Sequence, residues 1–148
     1  MKLFRMIALT TAVAAATPAK AFDLAELFGH HSTPHSTPLL DVAKRYVGAR
    51  NFTGLRAPWC RAFINRIADR AGVPLANRSN RAIDALALGR RVSTPRAGDL
   101  AVMRHHVTIF AGYSNGRIVG LGGNQSHRVQ YSKYSPTKVI AYVRVAGR

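Results

Sequence analysis

The sequence predicts an α+β domain, with N-terminal helices packed on a C-terminal antiparallel sheet of about five strands. Apolar residues recur at helical spacing as far as about residue 89, and from Val92 onward the period drops to two. A hydrophobic content of 47% in 148 residues suits one packed core with a short extension.

Residues 1–21 read as an export signal. Lys2 and Arg5 supply the positive start, Met6 to Ala16 the apolar run, and Ala19-Lys20-Ala21 the small residues a signal peptidase reads. The run falls short of the ~20 residues that span a bilayer. An exported chain, periplasmic or extracellular, is therefore expected, with no stable membrane insertion once the signal is removed. Residues 22–38 follow as a short apolar-faced helix (Phe22 to Phe28) and a linker. The linker contains His31-Ser32-Thr33-Pro34 and its repeat His35-Ser36-Thr37-Pro38, which have no apolar residue to bury. His30, His31 and His35 lie in this tract; a linker does not hold ligands in a fixed geometry, so no metal is assigned.

The folded domain is expected over residues 39–148. Pro38 suits a first helical position, and Leu39, Val42, Ala43, Tyr46 and Val47 share a face before Gly48 ends the helix. A second helix begins near Pro58, with Cys60, Phe63, Ile64, Ile67, Ala68 and Ala71 on one stripe and Gly72 and Pro74 as stops. Ser79 or Asn80 caps a third, with Ala82, Ile83 and Leu86 inward and Gly89 beyond its end. After a turn at Pro95–Gly98, strands are predicted at Asp99–Met103, His106–Tyr113, Arg117–Leu121, Arg128–Ser132 and Lys138–Val145.

The charge balance, 22 basic against 6 acidic residues, gives +16; losing Lys2, Arg5 and Lys20 with the signal leaves +13. Such a balance speaks of anionic partners and not of fold. The cations are spread along the chain and no nucleic-acid motif is present, so anionic cell-envelope polymers are expected and specific nucleic acid is not. The basic run from Arg50 to Arg61 reads as a solvated rim. A monomer is expected.

Exported proteins usually carry cysteines in pairs. Here there is one, Cys60, which cannot pair within the chain. It stands in the first turn of the second helix, where free backbone N–H groups stabilise a thiolate and lower the thiol pKa. It is also the first residue of the apolar stripe, so a buried structural cysteine and a nucleophile are both open from this segment alone.

Tyr46-Val47-Gly48, Asn51, Gly54 and Trp59-Cys60-Arg61-Ala62-Phe63-Ile64-Asn65 resemble the nucleophile segment of CHAP-type cell-wall hydrolases. Those are cysteine, histidine-dependent amidohydrolases and peptidases with a papain-like fold. Arg96-Ala97-Gly98-Asp99, His106-Val107 and Leu121-Gly122-Gly123-Asn124-Gln125 follow in the family's order, so the resemblance runs from about Leu39 to Tyr142. It implies acyl transfer on amide bonds of peptidoglycan, with Cys60 as nucleophile, His106 as base and no cofactor. Where the family has Gly-His-Val this chain has His105-His106-Val107. Successive strand residues face opposite ways, so only one of the two histidines reaches a given site.

Strand pairing supplies a partner for that base. If Ser114-Asn115-Gly116 forms a three-residue hairpin loop, Tyr113 faces Arg117, Ala111 meets Val119, Ile109 meets Leu121 and His106 meets Asn124. A two-residue loop pairs Ile109 with Gly122 and sets Gln125 against His106. The first register matches apolar with apolar and is preferred, although a bulge at Gly122-Gly123 would break it. The expected triad is therefore Cys60, His106 and Asn124, with Asn124 orienting the imidazole. Trp59, Asn51 and Gln125 are candidates for substrate contact.

Overall fold

The computed structural model describes residues 37–50 and 52–145. The described residues form two α-helices, α1 (Pro38–Lys44) and α2 (Cys60–Ala71), and 3-10 turns at Ala82–Ala87 and Pro136–Lys138. Six strands accompany them: β1 (Arg90–Val92), β2 (Leu100–Val102), β3 (Val107–Ser114), β4 (Arg117–Gln125), β5 (Arg128–Tyr134) and β6 (Ala141–Arg144). The expected signal segment, the short helix, the Ser/Thr/Pro tract as far as residue 36, and Asn51 all lie outside the described residues.

The strands join in one sheet of order β1-β6-β2-β3-β4-β5, with every neighbouring pair antiparallel. The helical stripe of α2 behaves as its spacing predicts. Cys60, Phe63, Ile64, Ile67 and Ala68 are buried against Leu100, Val102, Val107, Ile109, Leu121, Val129 and Val143 of the sheet. Each large apolar side chain so buried contributes about 1.5–3 kcal/mol. A second, smaller cluster of Ala101, Met103, Phe110 and Ile118 covers the other face of the sheet, with Tyr134, Val139 and Tyr142 packed on it.

Four expectations about elements are corrected. First, α1 stops at Lys44, short of Tyr46 and Val47, because the chain turns to reach β5. Gly48 N–H donates to Val129 O at 2.7 Å, and Ala49 O accepts from Val129 N–H at 2.9 Å. Second, the third helix is a 3-10 turn. The Ser79 hydroxyl donates to Asp84 Oδ2 (2.6 Å) and accepts from Arg81 N–H (3.1 Å), making a local turn where a helix cap was expected. Third, β1 makes a sixth strand; Arg90-Arg91 carries no apolar alternation, and only pairing with β6 reveals it. Fourth, the basic run Arg50–Arg61 is not wholly a solvated rim, since Arg61 is fully buried. Its guanidinium donates to Asn65 Oδ1, and to Asn77 O and Oδ1 at 3.1 Å each.

The β3–β4 hairpin turns on two residues, not three. Asn115 (φ 50°) and Gly116 (φ 70°) occupy the positive-φ positions of a type I′ turn, and Ser114 faces Arg117. A bulge at Ala111 then shifts the ladder by one residue, so that Ile109 still meets Leu121. The turn and the apolar pairing each followed a sound rule, and Ala111 reconciles them.

Candidate active site

Cys60 is the first residue of α2 and follows Trp59, which has no side-chain capping bond. The residue is 4% exposed, and backbone N–H groups of Val107, Arg61 and Cys60 itself point at its sulfur. The expected lowering of its pKa is overturned. Burial pushes the thiol above its ordinary value of 9.0, and the N–H groups and the nearby Arg61 charge offset this only in part.

Val107, whose N–H reaches the sulfur, directly follows His106. His105 is exposed and His106 half-buried, so the chain offers the second of the pair to the interior. Burial lowers the His106 pKa below its ordinary 6.5, with a hydrogen bond to Gln125 opposing it, so the ring is neutral at neutral pH. Among the described residues the ring's hydrogen bonds run through Nε2, to Gln125 Oε1 at 3.2 Å and Tyr134 Oη at 3.1 Å; none joins it to the thiol.

The side chain hydrogen-bonded to the ring is thus Gln125, a candidate substrate contact and the residue set against His106 in the less favoured register, and no hydrogen bond joins Asn124 to the ring among the described residues. The cause is a second bulge. Gly122 pairs with Gln130 and Gln125 with Arg128, so Gly123 and Asn124 together oppose the single residue Val129. Asn124 sits at φ 57°, in the left-handed region that asparagine tolerates well. Gly123 makes room for α2, since a Cβ there would stand 2.5 Å from Phe63 Cβ and 2.6 Å from Trp59 Cζ3. A Cβ at Gly122 would instead meet Gln125 Oε1 at 2.7 Å and Thr108 Oγ1 at 2.8 Å. Gly122 and Gln125 therefore share the face that Asn124 would have occupied in an unbroken strand.

The hydrogen-bond partners of Gln125 decide the proton on His106. Its Nε2 donates to Gly120 O at 3.3 Å, to Ser132 Oγ at 3.1 Å and to Gln130 O. Two of these are carbonyls, which only accept, so the amide is fixed with Oε1 toward the imidazole. Tyr134 Oη donates to the same Oε1 at 2.8 Å, and burial pushes its own pKa up to about 12, so it stays protonated. Oε1 can accept only, so the ring proton lies on Nε2. Nδ1 keeps its lone pair.

Tyr134 was missed because β5 was expected to end at Ser132. The alternation that places Gln130 and Ser132 toward Gln125 continues to Tyr134 and was the available signal. Trp59, expected to touch substrate, is 4% exposed and packs its ring over Gly123 in the core. Asn51 lies outside the described residues. No group of three or more His, Cys, Asp or Glu that could hold a metal occurs among the described residues.

No protein-family model matches this chain, and no curated protein matches it. Among solved structures it is similar to the peptidoglycan hydrolase RipB from Mycobacterium tuberculosis. The TM-score is 0.56 at 16% identity, over 74% of this chain and 64% of that one. The two chains share a fold. The chain spans less than two thirds of RipB's length, and at this identity the likeness concerns fold alone and does not select the CHAP-type family.

Proposed function

We propose that the chain is an exported cysteine hydrolase of the CHAP type. It cleaves amide bonds of peptidoglycan, as an endopeptidase or N-acetylmuramoyl-alanine amidase, through Cys60, His106 and Gln125. The observation that carries this reading is the His106 ring held through Nε2, one residue from the N–H that touches the only thiol. A fixed tautomer with a free Nδ1 is what acyl transfer needs from its base. The fold shared with RipB, itself a peptidoglycan hydrolase, agrees with a cell-wall substrate and an exported location. Residues 1–21 as signal, 22–38 as linker and 39–148 as catalytic domain belong to the same reading. Among the described residues no helix is long and apolar enough to cross a membrane.

The resting pair is neutral thiol and neutral imidazole. With Cys60 4% exposed, a carbonyl must displace neighbouring atoms to reach the sulfur, so substrate binding precedes proton transfer. His106 Nδ1 then takes the thiol proton as sulfur bonds to the carbonyl carbon. The same proton passes to the leaving amine as the C–N bond breaks, leaving a thioester. Water, deprotonated by His106, releases the carboxylic acid and restores the thiol.

The burial of Cys60 also favours a second reading, a catalytically inert basic wall-binding protein of the same fold. Mass spectrometry of muropeptides released from purified sacculi separates the two. The hydrolase reading expects new termini from the native protein and none from Cys60→Ser; no release by the native protein discards it.

A further inference from the structure

A concavity of about 340 Å³ opens at the β1 edge of the sheet, lined by Arg90, Arg91, Arg96 and Arg144 with Ser93 and Thr94. Three elements build it. Arg90 and Arg91 come from β1, Arg96 from the turn before β2, and Arg144 from β6, where it stands opposite Arg90 in the ladder. Like charges directly opposed across a ladder are destabilising unless something neutralises them.

Arg144 is neutralised. Its Nε and Nη2 donate to the two carboxylate oxygens of fully buried Asp99 at 2.9 and 2.7 Å, and Nη2 also reaches Thr94 O at 3.4 Å. That pair ties β6 to the turn and forms a fixed wall. Arg90, Arg91 and Arg96 are exposed, with no acidic side chain assigned to them. Nor are acids to spare among the described residues. Asp41 pairs with Lys44, Asp69 with Arg78, Asp84 bonds Ser79, and Asp99 holds Arg144 and the Arg96 N–H. Three uncompensated guanidinium groups around one hollow, beside two hydroxyls, are matched by a ligand of concentrated negative charge with several acceptor oxygens.

We propose that this hollow is a phosphate-binding site formed by Arg90, Arg91 and Arg96. It is separate from the Cys60 site and does not rest on the hydrolase reading. Its ligand is a phosphate group, either on a lipid headgroup or on a soluble or polymeric phosphate. The bland alternative is that the arginines only keep an exposed strand edge from pairing with another chain.

The test uses the full chain and titrates sodium pyrophosphate by calorimetry at fixed ionic strength. The hollow is emptied of charge in R90Q/R91Q/R96Q. A control, R45Q/R56Q/R81Q, removes the same charge from exposed arginines outside the concavity. The expected result is saturable binding by the native chain and by Cys60→Ser. The dissociation constant should rise at least about tenfold in the first variant and less than about twofold in the control. R90K/R91K/R96K should fall between, since it keeps charge but loses the fork. Co-sedimentation with phosphatidylglycerol vesicles, competed by pyrophosphate, assigns the source to a lipid headgroup; pyrophosphate binding without vesicle binding assigns it to soluble or polymeric phosphate. Equal losses in the two triple variants, or no saturable binding at all, would overturn the proposal. Matching thermal midpoints for all variants exclude misfolding as the cause.

Discussion

At the scale of single residues, the distinction between Asn124 and Gln125 is testable. Gln125 fixes the His106 tautomer, and loss of such an orienting group costs on the order of 10²–10⁴ in kcat. Gln125→Ala should therefore cut turnover of sacculi by at least about a hundredfold, whereas Asn124→Ala should retain most activity. Equal losses would return Asn124 to the role expected of it from sequence. The electrostatics make a second prediction. A neutral base is required, and burial lowers the His106 pKa, so the acid limb of kcat/KM should lie below pH 6.5. Alkylation of the free protein by iodoacetamide should keep rising with pH past 9.0, because burial raises the Cys60 pKa. A plateau of fast alkylation between about pH 5 and 8 would mean instead a preformed thiolate–imidazolium pair.

At the scale of elements, the β4 bulge and the Asp99 anchor carry the predictions. Asn124 at φ 57° has a backbone role, so Asn124→Gly should keep both stability and activity. Asn124→Val should cost about 1–2 kcal/mol in urea denaturation, because a branched side chain is strained there. Asp99 is fully buried and takes two bonds from Arg144 and one from Arg96 N–H. Asp99→Ala strands a half-buried guanidinium and should destabilise by about 3–5 kcal/mol.

Much at this scale was legible in the sequence. The α2 stripe, the Pro95–Gly98 turn and most strand positions follow from apolar periodicity, which burial enforces directly. For the partner of His106 the sequence offered both Asn124 and Gln125 and flagged Gly122-Gly123 as the place for a bulge, but the choice depends on how Gly123 fits under Phe63 and Trp59, a contact between segments far apart in the chain. The pKa direction at Cys60 failed for a related reason. The helix start was visible in the sequence, but the depth at which it is buried was not.

At the scale of the whole molecule, excess charge dominates. A formal +16 with the acids among the described residues engaged leaves most cations to solvent or to partners. Attachment to sacculi should therefore be salt-sensitive. Raising salt from about 0.1 M to about 1 M shortens the screening length from about 10 Å to about 3 Å. Pull-down on purified sacculi should show most of the protein released over that range; undiminished retention at the upper end would mean that shape and not charge holds it there.

The extra residue in β4 also bears on how relatives of this chain should be compared. Counting positions from the paired glycines assigns a role by column, whereas the imidazole selects by side of the sheet. With one residue looped out, an amide one methylene longer arrives at the ring from the next column. Two sequences that look mismatched at this spot can therefore present the same oxygen to the same nitrogen.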